Sequence, residues 1–174
     1  MRKLITAAAL VAAISAVATS ASAENYWSIG AGQQMLDFSS VGGGKATITT
    51  ATGRVGWKSD SWYGAEAELY AGLGDDEAAP GIDVGINTSV AVYGVAHIPA
   101  NEKLDLHARL GFNRLLGKVK AGGASADTND GDISYGVGGT YKLNDRDGVR
   151  VDYTITDISD VDASAWQIAF VRKF

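Results

Sequence analysis

The sequence lacks cysteine altogether and contains only two prolines, against 22 glycines in 174 residues. Without cysteine, neither disulfide bonds nor thiolate metal sites hold this fold together. The chain also lacks an excess of basic residues, with 15 lysines and arginines against 20 aspartates and glutamates. Nucleic acid is therefore not an expected partner, because phosphate binding needs a basic surface.

After the N-terminal segment, no stretch of the chain reaches the roughly 18 consecutive apolar residues that a membrane-spanning helix needs. No transmembrane helix is therefore expected in the main part of the chain. This composition is compatible with a soluble secreted β-protein and with an outer-membrane protein. The pattern of polar and apolar residues along the strands has to distinguish these two classes of protein.

The N-terminal segment has the three parts of a secretory signal peptide. Arg2 and Lys3 are basic, Leu4–Val17 is almost entirely apolar, and Ala21-Ser22-Ala23 is a cleavage signature of small residues. The apolar run of about 14 residues is shorter than the roughly 20 that a spanning helix needs, which argues against a membrane anchor. We therefore expect a signal peptide over residues 1–23 and one domain over residues 24–174.

The domain divides into eight segments of about 10 to 15 residues in which polarity alternates, which is the period of a strand with two different faces. In residues 104–112 one face is Leu104, Leu106, Ala108, Leu110 and Phe112, and the other is Asp105, His107, Arg109 and Gly111. In a soluble sandwich or lipocalin-like barrel the apolar face points inward. In a membrane barrel it meets lipid.

Three features favour the membrane barrel. The polar face is rich in small residues such as Gly64, Gly85 and Ser89, which suits a narrow lumen better than a solvated surface. Aromatic residues of the apolar face, such as Trp57 and Tyr63, lie near strand ends and fit interfacial girdles. The connections alternate between long and short, as outer loops and periplasmic turns do. They are residues 37–44, 58–61, 74–81, 99–102, 117–131, 144–148 and 157–163.

The fold class predicted from this pattern is all-β, a transmembrane, eight-stranded, antiparallel up-and-down β-barrel. Arg172 is the exception on the lipid face. We expect it to lie at the interface, where an arginine costs about 0–1 kcal/mol and can reach the head groups.

The last third of the chain resembles the small outer-membrane β-barrel family that includes OmpA-type and opacity-type proteins. The resemblance rests on a Tyr-Gly-x-Gly strand at residues 135–139, an Arg-x-Asp-Tyr strand at residues 150–153, and a final strand closed by Phe174. Many members have an aromatic residue at the position of Arg172. The resemblance implies that the barrel-assembly machinery reads a signal in the last strand, formed by Trp166, Ile168, Phe170 and Phe174.

Inward-facing charges are expected to form a polar network across the lumen, because a buried charge is costly unless it is paired. The members of this network are Arg54, Glu66, Glu68, Asp105, His107, Arg109, Arg150 and Asp152. The network either fills the barrel or, as the resemblance to OmpA-type barrels implies, acts as a plug or gate.

No catalytic, cofactor or metal site is expected. Asp105, His107 and Arg109 follow one strand face as a column rather than as a convergent triad, so we expect no enzymatic activity. The segment Asp127–Asp132 resembles a calcium loop, but its ligand positions fall on the wrong residues for an EF-hand. Bridging of divalent ions between the acidic outer segments and lipopolysaccharide stays open.

The leading hypothesis, which the resemblance implies, is a structural or surface-interaction protein of the cell outer membrane with a role in envelope integrity or adhesion-like contact. The alternatives are a narrow gated channel with a salt-bridged lumen and a soluble periplasmic lipocalin-like binding barrel. The expected partners are outer-membrane lipids, lipopolysaccharide, the barrel-assembly machinery and an unidentified extracellular partner. The chain is expected to be a monomer.

Overall fold

The computed structural model describes residues 23–39, 44–79, 82–121, 124–158 and 161–174. Within these residues the chain forms nine β-strands. They are β1 (Glu24–Asp37), β2 (Lys45–Lys58), β3 (Tyr63–Gly72), β4 (Asp75–Ala79), β5 (Ile82–Pro99), β6 (Leu104–Ala121), β7 (Ala124–Lys142), β8 (Asp147–Ile158) and β9 (Val161–Lys173). The signal peptide predicted for residues 1–23 lies, apart from its last residue, outside the described residues.

The strands close into a barrel. Every pair is antiparallel, β1 pairs with both β2 and β9, and β3 pairs with β5. Because β3 and β4 both pair with β5, at Tyr70↔Ser89 and at Asp75↔Gly85, they are two consecutive segments of one wall strand. The barrel therefore has eight wall strands, which confirms the predicted fold class.

Alternation along each strand sets the two faces of the wall. The apolar side chains point outward, and Ile29 and Val137 remain 61% and 60% exposed. The polar side chains point inward, and Glu66 and Asp152 are each only 1% exposed. The interior of this protein is therefore polar and its surface apolar, the reverse of a soluble barrel. No helix among the described residues is long and apolar enough to cross a membrane.

The two ends of the barrel differ in how their strands are joined. At one end, called here the short-turn end, β2 joins β3, β5 joins β6, and β7 joins β8 through four-residue connections at 59–62, 100–103 and 143–146. Asparagine side chains close two of these turns: Asn101 Oδ1 accepts from the backbone N–H of Leu104 at 2.9 Å, and Asn144 Oδ1 accepts from that of Asp147 at 2.8 Å. Such local bonds are the reason asparagine favours turns.

At the opposite end, called here the outer end, the predicted long connections are mostly strand. β6 and β7 remain paired through Ala121↔Ala124, so the prediction of a loop over residues 117–131 is wrong. Residues 75–79, 157–158 and 161–163, also predicted as connections, likewise belong to strands. Glycine and aspartate in these segments indicated loops. Once two strands are in register, however, each added pair satisfies further backbone N–H and C=O groups, and the hairpin continues.

Aromatic side chains mark the short-turn end of the outer face. The rings of Trp57 and Tyr63 are 5.8 Å apart in an edge-on arrangement, and those of Trp27 and Phe170 are 6.0 Å apart. These amphipathic rings suit the boundary between lipid and water. Their position agrees with the predicted girdle.

Candidate functional site in the barrel lumen

Four parts of the wall place charged side chains at one level of the lumen. β2 contributes Arg54, β3 contributes Glu66 and Glu68, β6 contributes His107 and Arg109, and β8 contributes Arg150 and Asp152. Each of these seven side chains is on the inward face, and each residue is at most 4% exposed. We call this set the central ion network. It contains seven of the eight residues predicted for the lumen.

Arg54 lies among three carboxylates. Its Nε donates to Glu68 Oε2 at 2.7 Å and its Nη2 donates to Asp152 Oδ2 at 3.1 Å. The Nε atom is also 3.6 Å from Glu66 Oε2. The contact with Glu68 follows from the register, because Arg54 and Glu68 are directly paired on adjacent strands. Opposite charges at such positions stabilise a sheet.

Arg109 approaches the same carboxylates from β6. Its Nη1 donates to Glu68 Oε2 at 2.7 Å, and its Nη2 donates to the hydroxyl of Thr154. The guanidinium carbon lies 4.5 Å from the ring centroid of Tyr93. This cation–π contact shields one side of the charge without introducing another ion.

Arg150 completes the network from β8. Its Nη2 donates to Glu66 Oε2 at 3.1 Å, and its Nε donates to Asp152 Oδ2 at 2.9 Å. The central ion network thus holds three guanidinium groups and three carboxylates, so its formal charge is zero when His107 is neutral. A buried network of this kind is tolerated because every ion has hydrogen-bonded partners of opposite charge.

His107 connects β6 to β8. Its Nε2 lies 2.7 Å from Asp152 Oδ1. Gly138 of β7 leaves the space for this bond, since a Cβ built there would lie 2.6 Å from the same oxygen and 2.5 Å from Nε2. The glycine of the Tyr-Gly-x-Gly pattern at this position is therefore required by close approach rather than by backbone conformation.

Asp105, the eighth predicted residue, belongs to a separate cluster nearer the short-turn end. Its Oδ1 is 3.1 Å from His97 Nδ1, and its Oδ2 accepts from Lys58 Nζ. His97 and His107 are paired across β5 and β6, with ring centroids 6.1 Å apart. The structure therefore places Asp105 in the lumen but does not bring it into contact with the central ion network.

Three neutral side chains that hydrogen-bond to members of the central ion network, those of Tyr26, Gln167 and Thr154, are not among the predicted site residues. Tyr26 donates to Glu66 Oε1 at 2.5 Å, Gln167 Nε2 donates to Glu68 Oε1 at 2.9 Å, and Thr154 accepts from Arg109. All three are on inward-facing positions of their strands, which is the signal that could have identified them. Charge alone does not identify such neutral partners.

A layer of neutral polar groups lies on the outer-end side of the central ion network. The hydroxyl of Ser134 is 3.0 Å from that of Thr156 and 3.2 Å from that of Tyr93, and Ser89 donates to Asn113. Ser89 and Ser134 have no measurable exposure. The lumen is therefore filled at two successive levels.

Asp105, His107 and Arg109, which form a column on one face of β6, contact different partners along the lumen. His107 contacts Asp152 and Arg109 contacts Glu68, so the column Asp105, His107 and Arg109 does not converge on a reacting position. Nor do the described residues include a cluster of three or more histidine, aspartate and glutamate side chains placed to hold a metal ion.

Of the residues predicted as an assembly signal, three lie along the outer face of β9, and Phe174 directly follows the strand. Trp166, Ile168 and Phe174 are 41%, 49% and 78% exposed, and Phe170 packs against Trp27. Their recognition by the assembly machinery stays a prediction.

Arg172, the exception on the lipid face, is paired at the short-turn rim. Its Nε donates to Asp147 Oδ1 at 2.7 Å, and its Nη2 donates to Oδ2 of the same carboxylate at 3.1 Å. These bonds, together with one from Asn144, lower the pKa of the Asp147 carboxyl. The charge of Arg172 is therefore neutralised by Asp147 beside the 143–146 turn.

Nearly the whole chain matches one known protein family. The family described as outer membrane protein beta-barrel domain matches residues 5–174. The chain belongs to this family. Its place is therefore the cell outer membrane, as predicted, and the apolar outer face of the barrel meets lipid. The soluble periplasmic alternative is wrong, because it would leave this face in water.

Solved structures of other outer-membrane proteins have the same architecture. Ail of Yersinia pestis, in complex with the heparin analogue sucrose octasulfate, gives a TM-score of 0.67 at 19% identity, over 88% of this chain and 99% of Ail. Neisserial surface protein A gives 0.60 at 18% identity, over 86% and 97%. The N-terminal barrel domain of Pseudomonas aeruginosa OprF gives 0.64 at 8% identity, over 86% and 97%. At these identities the likeness establishes the fold. A comparison with curated proteins found no similar sequence.

Proposed function

We propose that this outer-membrane barrel is a structural and surface-interaction protein whose lumen is a permanent plug. The observation that carries the proposal is the central ion network, in which three arginines and three carboxylates are buried and mutually paired. The neutral polar layer beyond it adds a second barrier. An eight-stranded barrel is only wide enough for side chains to fill it, so little space remains for a diffusing solute.

Planar-bilayer recording tests the plug. We expect the purified full-length protein to insert without stable conductance steps, because the ion pairs would have to separate in a low-dielectric lumen before ions could pass. Reproducible open events in the unmodified protein would contradict the proposal.

The surface role is supported by the charge distribution along the barrel axis. The outer-end segments 37–45, 75–83, 114–132 and 157–162 contain eleven acidic and four basic residues, whereas the rest of residues 24–174 contains nine of each. The whole net charge of the domain is therefore concentrated where it meets the exterior. We expect attraction to cationic polypeptide surfaces and divalent ions, the latter including ions that bridge to lipopolysaccharide.

This charge predicts a partner class different from the ligand in the Ail complex, which is a polyanionic heparin analogue. The full-length protein in nanodiscs of neutral lipid is expected to be retained on an immobilised polylysine surface and not on heparin. Retention should fall as salt rises, since exposed charges are screened. Preferential retention on heparin would overturn this assignment.

A narrow gated channel is the second candidate. The observation that favours it is the position of Arg54, which is within 3.6 Å of three carboxylates and could change partners without leaving the network. Under this hypothesis, replacing Arg54 by glutamine or Glu66 by glutamine would produce or alter conductance. Unchanged, silent bilayers for both folded variants would exclude it.

The remaining parts of the proposal concern assembly. We propose that the chain acts as a monomer, that it contacts outer-membrane lipids, and that the barrel-assembly machinery reads Trp166, Ile168, Phe170 and Phe174. The proposal includes no enzymatic activity and no cofactor.

A further inference from the structure

The outward face of the wall changes from apolar to polar towards the outer end of three adjacent strands, β9, β1 and β2. Outward residues that pair across these strands form rows along the wall. One row is apolar and consists of Ile168, Ala31 and Ala51. The next two rows contain the polar residues Gln33, Thr49, Ser164 and Thr47 beside Trp166 and Met35. The lipid-facing surface on this side of the barrel therefore ends close to the row of Gln33.

An ion pair at the outer ends of β1 and β2 indicates that the wall there meets water. Lys45 Nζ lies 2.9 Å from Asp37 Oδ2, and the Lys45 side chain is 75% exposed. Asp37 also accepts from the backbone N–H of Ser39 at 3.0 Å. Holding such charges against hydrocarbon is costly, whereas an exposed pair in water costs little. At roughly 3.4 Å per residue, β1 continues for about 14 Å beyond Gln33 to its end at Asp37.

The inward face of the same strands changes in the opposite direction. The inward residues of β2, in order towards the outer end, are Arg54, Thr52, Thr50, Ile48 and Ala46. On β1, Gln34 pairs with Ile48, and Leu36 pairs with Ala46 on one side and Ala163 on the other. The side chains of Leu36, Ala46, Ile48 and Ala163 belong to residues that are at most 3% exposed. We call these four residues the outer apolar layer.

The two changes occur at the same level of the wall and have one physical explanation. A strand in lipid directs apolar side chains outward, whereas a strand in water directs polar side chains outward and buries apolar ones. A change on one face alone could reflect local composition. Opposite changes on both faces of three adjacent strands instead mark the passage from lipid to water. The part of this wall beyond the lipid is therefore built like that of a soluble barrel.

We propose that the outer apolar layer closes the lumen beyond the lipid, as a barrier separate from the central ion network. A narrow passage lined by apolar side chains excludes water, and with it ions, by dewetting. The layer contains no charge, so its closure does not depend on the pairing of Arg54 or Glu66. The inference rests on the proposed plug and adds to it a closure of different chemistry at the outer end.

Single cysteines on neighbouring residues of β2 test the layer, since the chain has no cysteine of its own. The probe is a charged methanethiosulfonate reagent, which reacts with thiolates in water, added to full-length protein in nanodiscs. We expect Thr47→Cys, outward and beyond the lipid, to react rapidly. Ala46→Cys, inward, and Ala51→Cys, outward but in lipid, should each react about a hundredfold more slowly.

The three rates decide the two parts of the proposal separately. Equal rates for Ala46→Cys and Thr47→Cys would overturn the closure, from whichever end the reagent entered. Equal rates for Ala51→Cys and Thr47→Cys would overturn the position of the lipid boundary. Neither comparison needs a substitution of a large buried side chain, so both remain decisive if more disruptive variants fail to fold.

A polar substitution within the layer tests its role directly. In the Ala46→Cys background, Leu36→Ser should raise the reaction rate about tenfold, because it admits water next to the thiol. The matched control is Met35→Ser, whose side chain is adjacent along β1 but points outward and is 36% exposed. It should leave the rate within about twofold. Equal acceleration by both substitutions would indicate general loosening of the wall and would overturn the proposal.

Planar-bilayer recording separates this inference from the proposed plug. The Leu36→Ser variant should remain silent, because the central ion network still fills the lumen. Conductance in this variant alone would overturn the proposed role of the central ion network and leave the outer closure standing. Rapid reaction of Ala46→Cys with silent bilayers would overturn the outer closure and leave the proposed plug standing.

Discussion

Glu66 illustrates how each ion in the lumen depends on its neighbours. It accepts hydrogen bonds from Arg150 and Tyr26 and lies near Arg54. A glutamine of the same shape would keep the space filled but leave two arginines with too little negative charge. The effect of such a change is therefore electrostatic rather than steric.

We predict that Glu66→Gln destabilises the folded barrel by about 3–5 kcal/mol, the range for a buried ion pair that has lost one partner. The measurement is reversible urea unfolding of the protein in lipid bilayers. The control is Glu102→Gln, which removes an exposed charge in the 100–103 turn and should change stability by less than about 0.5 kcal/mol. Similar stability of the two variants would mean that water in the lumen compensates for the lost charge of Glu66.

Gly138 allows a prediction based on space alone. We predict that Gly138→Ala lowers stability by about 1–3 kcal/mol, because the added methyl group overlaps the bond between His107 and Asp152. The matched control is Gly53→Ala, whose Cβ would meet no atom within 4 Å. That variant should be neutral or slightly stabilising, since glycine weakens a strand. Equal effects in the two unfolding curves would refute the steric explanation.

At the scale of the element, β9 closes the barrel against β1 and carries the proposed assembly signal. We predict that Phe174→Ala reduces the amount of folded protein in the outer membrane of cells but leaves refolding of the purified chain into lipid nearly unchanged. Phe174 is 78% exposed and contributes little packing, so its loss should affect recognition more than stability. The control is Phe112→Ala, an outward aromatic residue on β6, which should have little effect in cells. A parallel loss in both variants would indicate a general requirement for outer aromatics.

The strands also show which features the sequence could predict. The alternation of polar and apolar residues predicts the eight wall strands, their two faces and the seven members of the central ion network. It does so because a side chain on a strand can point only to one face or the other. The outer ends of β6 and β7 were missed, because glycine and aspartate are common in loops and in solvated hairpins alike. The separation of Asp105 from Glu66 and Glu68 was also inaccessible, since it depends on the register between strands that are distant in sequence.

For the whole molecule, the orientation of the two faces is the feature on which the other conclusions depend. The absence of native cysteine allows single labels to be introduced cleanly. We predict that nitroxides at Leu69→Cys, Leu106→Cys and Val151→Cys are accessible to oxygen dissolved in lipid and shielded from a water-soluble relaxant. A label at Ser89→Cys, inside the lumen, should be protected from both. Accessibility of the three outward labels to the aqueous relaxant would reverse the assignment of the faces.

The closure of β1 on β9 has a consequence for the order in which the protein forms. The first and last strands of the domain are neighbours, with Tyr26 opposite Lys173, so the ring is complete only after nearly the whole chain is in place. Charged side chains of β2 and β3 pair with charged side chains of β6 and β8. In an open sheet these ions would face the hydrocarbon. Entry into the membrane is therefore favourable only for a nearly closed ring, and its long-range contacts make that step slow.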